Sequence, residues 1–447
     1  MSDSDNTNKS NIDFKAEFPQ AKKRIDTLFE FVDNSPTAFH ASLNEAKELE
    51  KHGFKELKWE DEWKFNPGDK YYLIIGGTTF ISFIVGTEKA KGFKIIGTHN
   101  DSPTLCIKNN PEMKSEGLKQ LNVEPYGGLV YRGWFDRPLS VAGRVLLRGE
   151  NNSIKTEIIN VEKDLMIIPS LAIHMDRAMN EGYKISPQKE LKPVYAMDSD
   201  ESQDFIDYIA EYLGVETAEI LDYDLSLYPR ENGTYIGINS EFYSLGRLDN
   251  LLMTHQALTA IAESTDSNIS FHRIFVSFDN EEIGSQTGRG ADSALFGNFL
   301  KRLNIACGGS EEDYYRSLAN SFIISTDVSH AAHPNYPEMA DPTNRPRLNG
   351  GPVLKIAARK SYNTTGETAA RFRLYAENAN APVQCFYNHS DKRGGSTIGP
   401  LAEAQTAIPG ADIGIPILSM HNIREMGGVL DHEFSIRIMK EFFASEY

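Results

Sequence analysis

Cysteine is scarce: Cys106, Cys307 and Cys385 are the only three in 447 residues. An odd, widely spaced set is no disulfide framework, and no C-x-x-C pair offers a thiolate zinc site. Reduced, mostly buried thiols are the ordinary reading of such residues. Long apolar runs are missing too. FISFIVG falls far short of the ~20 residues a membrane-spanning helix needs. The opening segment MSDSDNTNKSNIDF is polar and has no apolar stretch of the secretory kind, so the expected setting is the cytoplasm. Positive charge is also short, since 46 Lys and Arg against 63 Asp and Glu leave a net charge of −17. That excess argues against nucleic acid or an anionic membrane as partner. It suits carboxylates gathered around divalent cations. Several chemistries lack their signatures: there is no Walker loop, no dinucleotide fingerprint and no G-x-S-x-G elbow. His432-Glu433 is not followed by the second histidine of a zincin.

What is present is a globular balance, 40% hydrophobic and 24% charged. The length exceeds the ~250–300 residues at which one core stops growing. Ile25, Leu28, Phe29 and Val32 fall on one face of a helix that Asn34-Ser35-Pro36 stops. A second helix is expected from Thr37 to His52, followed by the strands YYLIIGG, TFISFIVG and FKIIGTH. From Asp101 to Ile238 the texture changes to short β-like runs (LVYRGWF, SVAGRVLLRG, NNSIKTEIINV), with one helix-like stretch over 204–213. After Tyr243, helices alternate again with RIFVSF, SFIIST, PVLKIAA, VQCFYN and IGIPILS. Strand–helix alternation predicts an α/β fold, a mixed and largely parallel sheet flanked by helices. Residues 1–101 and 240–447 would form that discontinuous domain, and 102–239 a β-rich insert of ordinary domain size.

Four apolar strands run into metal-ligating residue types. FKIIGT leads to His99-Asn100-Asp101, RIFVSF to Asp279-Asn280-Glu281-Glu282, SFIIST to Asp327, with His330 and His333 behind, and IGIPILS to Met420-His421. Ligands of open α/β sheets bind beyond the carboxyl ends of the strands, so these ends could share a crevice. Asp249, in GRLDNLLM, could cap a helix or offer a carboxylate to the same place. Two imidazoles and three carboxylates (His99, Asp249, Glu282, Asp327, His421) suit zinc, with manganese or cobalt acceptable. They are too many for one tetrahedral site and fit two ions about 3.5–4 Å apart sharing a carboxylate. Asp101 could fix the tautomer of His99. Neighbours in extended chain point opposite ways, so one of Glu281 and Glu282 could bind metal while the other faces substrate as general base. Taken singly, each residue also has an ordinary role: turn cap, solvated acid or satisfied histidine.

The segments HNDSPTLCIK, RLDNL, DNEEIGS, DVSHAAHPNY, GGPVLK, GGSTIGP and MHNIRE occur in that order. Together with FVDNSPTAFHA and IPSLAIHMDR they resemble the aspartyl aminopeptidase family of co-catalytic zinc metallopeptidases, which includes the vacuolar aminopeptidases. The resemblance spans nearly the whole chain. It implies a zinc exopeptidase-like domain, an inserted dimerisation domain and a homo-oligomer, typically a tetrahedral dodecamer. It implies that His99, Asp249 and Asp327 hold one ion and Asp249, Glu282 and His421 the other, with Glu281 as general base. His174 matches a histidine lent by a neighbouring subunit, and His330, Lys355 and Tyr362 match substrate-contacting positions. The implied substrates are peptides with free N-termini. Lys355 could pair with an acidic first residue, or be a solvated lysine at a strand end. Two segments depart from the pattern. Asn100 stands where relatives have Thr, and HSDKRG, before GSTIGP, replaces an Asn-Asp and Pro-Cys stretch near the substrate pocket. A Leu-type specificity, a two-metal deacylase or carboxypeptidase, and a non-catalytic scaffold are the competing readings.

Overall fold

Asp13 starts the first helix by accepting the backbone N–H groups of Lys15 and Ala16. The computed structural model describes residues 13–88, 91–264 and 268–447. The helix Phe14–Asp33 buries Ile25, Leu28 and Val32, and Phe29 packs on Tyr235 and Tyr243. Ala38–Lys51 follows as the second helix. The expected apolar stripe is therefore the buried face.

The main sheet has nine strands, and five of its eight pairings are parallel. Its centre reads His272–Phe278, Phe93–His99, Phe322–Thr326, Gly410–Gly414, all parallel. Alternate side chains enter two cores. Ile96, Phe275 and Ile324 meet the helices Phe14–Asp33, Ala38–Lys51, Leu248–Ala262 and Val429–Ala444. Ile95, Ile274 and Ile323 meet Ala294–Ala306 and Ile398–Thr406 on the opposite face. The chain leaves Phe93–His99, returns beside it as His272–Phe278, then crosses to its other side as Phe322–Thr326. That reversal opens the crevice in which such sheets bind ligands.

Residues 104–229 supply a separate six-stranded antiparallel sheet. Its core gathers Leu105, Trp134, Val141, Phe205 and Leu225, and Ile423 of the main body plugs into it. Thr234–Ile236, inside the expected insert, pairs instead with Phe242–Leu245, which pairs with Glu425–Gly428.

Two expected strands differ. LVYRGWF is not extended: Tyr131–Trp134 forms a 3-10 turn, closed by Gly133 N–H donating to Val130 O, and buries Trp134. A side chain on Gly133 would meet Ile423 at 3.1 Å, so the turn sits tight against the main body. IGIPILS is broken. The main-sheet strand is Gly410–Gly414, and Pro416–Ile417 pairs instead with Ser329–His330. Pro416 has no N–H to donate to a ladder, which suits a chain leaving the sheet. No helix among the described residues is long and apolar enough to cross a membrane.

His272 gives the fold a testable pH dependence. Its Nδ1 accepts the Gly86 N–H at 3.1 Å, and burial lowers its pKa to about 4. The folded imidazole is therefore neutral where an unfolded one, near 6.5, begins to charge. The sign follows: this contribution is whole above pH 6.5 and is lost as pH falls toward 4. His272→Asn is expected to be less stable than wild type at pH 7. The gap in urea unfolding should narrow by roughly 1–3 kcal/mol by pH 4.5. A gap that stays constant with pH would contradict the assignment.

Candidate metal centre

His99 ends its strand with 1% of its surface exposed. Its Nδ1 lies 3.1 Å from the Asp101 carbonyl and 3.3 Å from Asp101 Oδ1. Both partners accept, so Nδ1 carries a hydrogen and Nε2 is the nitrogen that faces the crevice, where a cation would take the place of its proton. There Nε2 faces Asp249 Oδ1 at 3.3 Å, Asp327 Oδ1 at 3.7 Å and Glu281 Oε2 at 3.8 Å. His421 is arranged alike from the other side. Its Nδ1 donates to Gly128 O at 3.0 Å, and Nε2 faces Asp249 Oδ2 at 3.2 Å and Glu282 Oε2 at 3.4 Å. Its backbone is left-handed, φ 63°, as at the other turn residues of positive φ in the chain.

Asp249 thus presents one oxygen to each imidazole. It is not a helix cap: its φ/ψ of −80°/104° are non-helical, and no side chain caps Leu248–Ala262. Glu425, missed as a site residue in the sequence, holds both ends of this arrangement. Its Oε2 accepts Asp249 N–H at 3.1 Å and its Oε1 accepts His421 N–H at 2.9 Å. The only sequence signal was its place in MHNIRE.

Glu281 and Glu282 diverge for a different reason from the expected one. They sit on a 3-10 turn, Glu281–Ile283, entered through left-handed Asn280 (φ 65°), not on extended chain. Their N–H groups donate to the two oxygens of Asp101, each at 3.1 Å. Asp101 therefore anchors the acidic turn as well as facing His99.

So many carboxylates in one buried crevice repel one another. Burial, then Asp327, Asp101 and Asp249, raise Glu281 to about 8 against the pull of His99. Burial and Asp249 push Glu282 well up. Asp249 is held below the usual carboxylate range: burial opposes this, but His421 and His99 outweigh it. Burial lowers His421, yet Asp249 beside it carries it up to about 9. Asp249 Oδ1 and Glu282 Oε1 are buried with no hydrogen-bond partner. Two overlapping donor groups, His99–Glu281–Asp327 and His99–Asp249–Glu282, have ligand atoms all within 4.8 Å of one another. Unpartnered buried oxygens, excess negative charge and imidazole nitrogens are a donor set that fits divalent cations of the zinc type.

Beside Asp327 stands a wall of three expected contact residues. Lys355 is 3% exposed, so it is not the solvated lysine of the ordinary reading. Its Nζ donates to Asp327 Oδ2 at 3.1 Å and lies 5.5 Å from the Tyr362 ring centre. Phe386 stands between Tyr362 and the exposed ring of His330, at 6.4 and 5.9 Å. His174 is elsewhere, exposed on an irregular segment of the insert. A cavity of about 450 Å³ between insert and main sheet reaches Asp101, Asp249 and His421 and is bordered by Tyr126, Arg247 and Arg289.

Residues 31–443 match the family model described as aminopeptidase I zinc metalloprotease, M18. The chain belongs to the M18 family of aminopeptidases. A probable M18 family aminopeptidase 2 of Clostridium novyi is 46% identical over 94% of this chain and 98% of that protein. A chain in the cryo-EM structure of the Ape4 and Nbr1 complex is 34% identical, with a TM-score of 0.92 over 95% of this chain and 86% of that one. The S. cerevisiae mApe1 dodecamer gives 28% and 0.83 over 95% and 97%. This M18 protein is accordingly a metalloaminopeptidase on a mixed α/β fold, and its family is one of zinc metalloproteases.

Proposed function

We propose that this M18 aminopeptidase releases the first residue of peptides at two cation sites that share Asp249. The observation that carries this reading is the pair of Asp249 oxygens, one facing Nε2 of His99 and the other Nε2 of His421. His99 and Asp327 would complete one site, Glu282 and His421 the other. The cations would supply Lewis acidity toward the scissile carbonyl and the attacking water. Glu281 takes the proton of that water and delivers it to the leaving amine. Asp101 keeps His99 in its ligating tautomer and sets the Glu281–Glu282 turn. His330 and His174 are the candidates to stabilise the oxyanion. A subunit assembly supplies His174 from a neighbour. The dodecameric mApe1 and the exposed side chains around His174 support a homo-oligomer, with the tetrahedral dodecamer as its form.

An acidic first residue is favoured by Lys355, a buried cation beside Asp327. A neutral, Leu-type preference is favoured instead by the apolar Tyr362–Phe386 wall. Xaa-Ala-Ala peptides with Asp, Glu, Leu, Ala or Lys first separate these. Release should stop in chelator and return with zinc, manganese or cobalt, and the fastest residue assigns the preference. Chelator-resistant release from metal-free protein would refute the two-cation reading. An N-acetylated peptide should not be cleaved, because the free amine is part of recognition.

A further inference from the structure

The insert touches the candidate metal centre with the turn Tyr126-Gly127-Gly128, at the end of the strand Leu118–Tyr126, and with Ser102, whose hydroxyl donates to Asp249 O at 2.7 Å. Tyr126 O–H donates to Asp101 Oδ2 at 2.7 Å and accepts from Asn280 Nδ2 at 3.0 Å. Gly128 O receives the His421 Nδ1–H at 3.0 Å, and Val130 N–H donates back to His421 O at 3.1 Å. Gly127 lies so close to the acidic turn that a Cβ there would sit 3.1 Å from Glu282 Cβ. At Gly128 a Cβ would sit 3.2 Å from His421 Nδ1. Three residues of the insert thus meet Asp101, Glu282 and His421, which come from three separate segments of the main body.

We propose that Tyr126-Gly127-Gly128 is a positioning turn of the metal centre: the inserted sheet sets the geometry of both cation sites through Asp101 and His421. The inference rests on the two-cation reading. Its chemistry is that of outer-shell partners. A carbonyl that takes the Nδ1 hydrogen of His421 leaves Nε2 as the ligating atom. A phenol that pins one oxygen of Asp101 fixes the carboxylate from which both His99 and the Glu281–Glu282 turn hang. Loss of outer-shell partners typically weakens metal affinity by about 10–100-fold. The insert would then couple assembly to catalysis, because a shift of its sheet moves this turn against the ligands.

The test uses the full-length protein stripped of metal and titrated with cobalt(II), read by visible absorption and by chelator competition, alongside kcat and KM. Tyr126→Phe keeps the ring and removes the hydroxyl. It is expected to weaken one cobalt site about 10–100-fold and to lower kcat more than KM changes. Gly128→Ala should disturb the cobalt spectrum of the other site. Tyr195→Phe is the comparison, since Tyr195 O–H donates to Glu112 within the insert, away from the centre. Its cobalt titration should match wild type. Wild-type cobalt affinity and kcat in Tyr126→Phe would overturn the proposal. An equal loss in Tyr195→Phe would overturn it too, by tracing the effect to insert stability. Wild-type protein that takes up no cobalt would instead sink the two-cation reading itself.

Discussion

Replacing Glu281 by alanine is expected to lower kcat by about 10²–10⁴-fold and to leave bound metal at the wild-type level. The side chain reaches the crevice from a turn that its own backbone, not its carboxylate, holds in place: Glu281 N–H and Glu282 N–H are what bind Asp101. Truncation should therefore leave the turn standing. Glu281 Oε2 lies 3.8 Å from His99 Nε2, the longest of the contacts that nitrogen makes. Asp327 Oδ1, a proposed ligand, stands 3.7 Å from the same nitrogen, so the base role of Glu281 rests on the proposed chemistry and not on this distance. Yet Glu281 also belongs to one of the two close donor groups, with His99 and Asp327. Metal analysis of the variant separates the roles. Loss of one metal equivalent with activity would make Glu281 a ligand. Activity within about tenfold of wild type would remove it from proton transfer altogether.

Three strand ends, at His99, Asp279 and Asp327, were legible in the sequence because each is a local signal, an apolar run that leads straight into His or Asp, whereas His421 lies seven residues beyond the end of its main-sheet strand at Gly414. His99 and Asp327 stand where those runs predict, at the carboxyl ends of neighbouring parallel strands. Asp249 was legible only as a choice between cap and ligand, since the deciding fact is a non-helical backbone at the head of an otherwise regular helix. The direction of Glu281 and Glu282 was not legible, because a left-handed Asn280 converts the expected pleat into a turn. Glu425 and Tyr126 were invisible for a different reason. Their partners, Asp249 and Asp101, lie 176 and 25 residues away and meet them only through the folded sheet. Tyr131–Trp134 read as a strand by composition, but the pull of Trp134 into the insert core outweighs its extended propensity.

Two inactive variants are expected to restore each other. His174 is exposed on a segment that also exposes Leu171 (51%), Ile173 (43%) and Met175 (77%). Apolar side chains clustered this way mark a surface that another chain covers. If His174 completes the site of a neighbouring subunit, His174→Ala should lower kcat by about 10²–10³-fold, the usual cost of one oxyanion donor. Glu281→Gln should be inactive for its own reason. In an oligomer assembled from both variants, a subunit carrying His174→Ala keeps Glu281 and receives an intact His174 from its Glu281→Gln neighbour. That site has every group it needs. The reciprocal site lacks its base. Co-expressed, differently tagged variants purified through both tags should therefore recover about half the activity per mixed pair, whereas each variant alone stays near zero. A histidine acting on its own subunit allows no such recovery, since every site in the mixture would lack either the base or the imidazole. Absence of recovery in verified mixed oligomers, or full activity in a stable monomer, would place His174 outside the shared site.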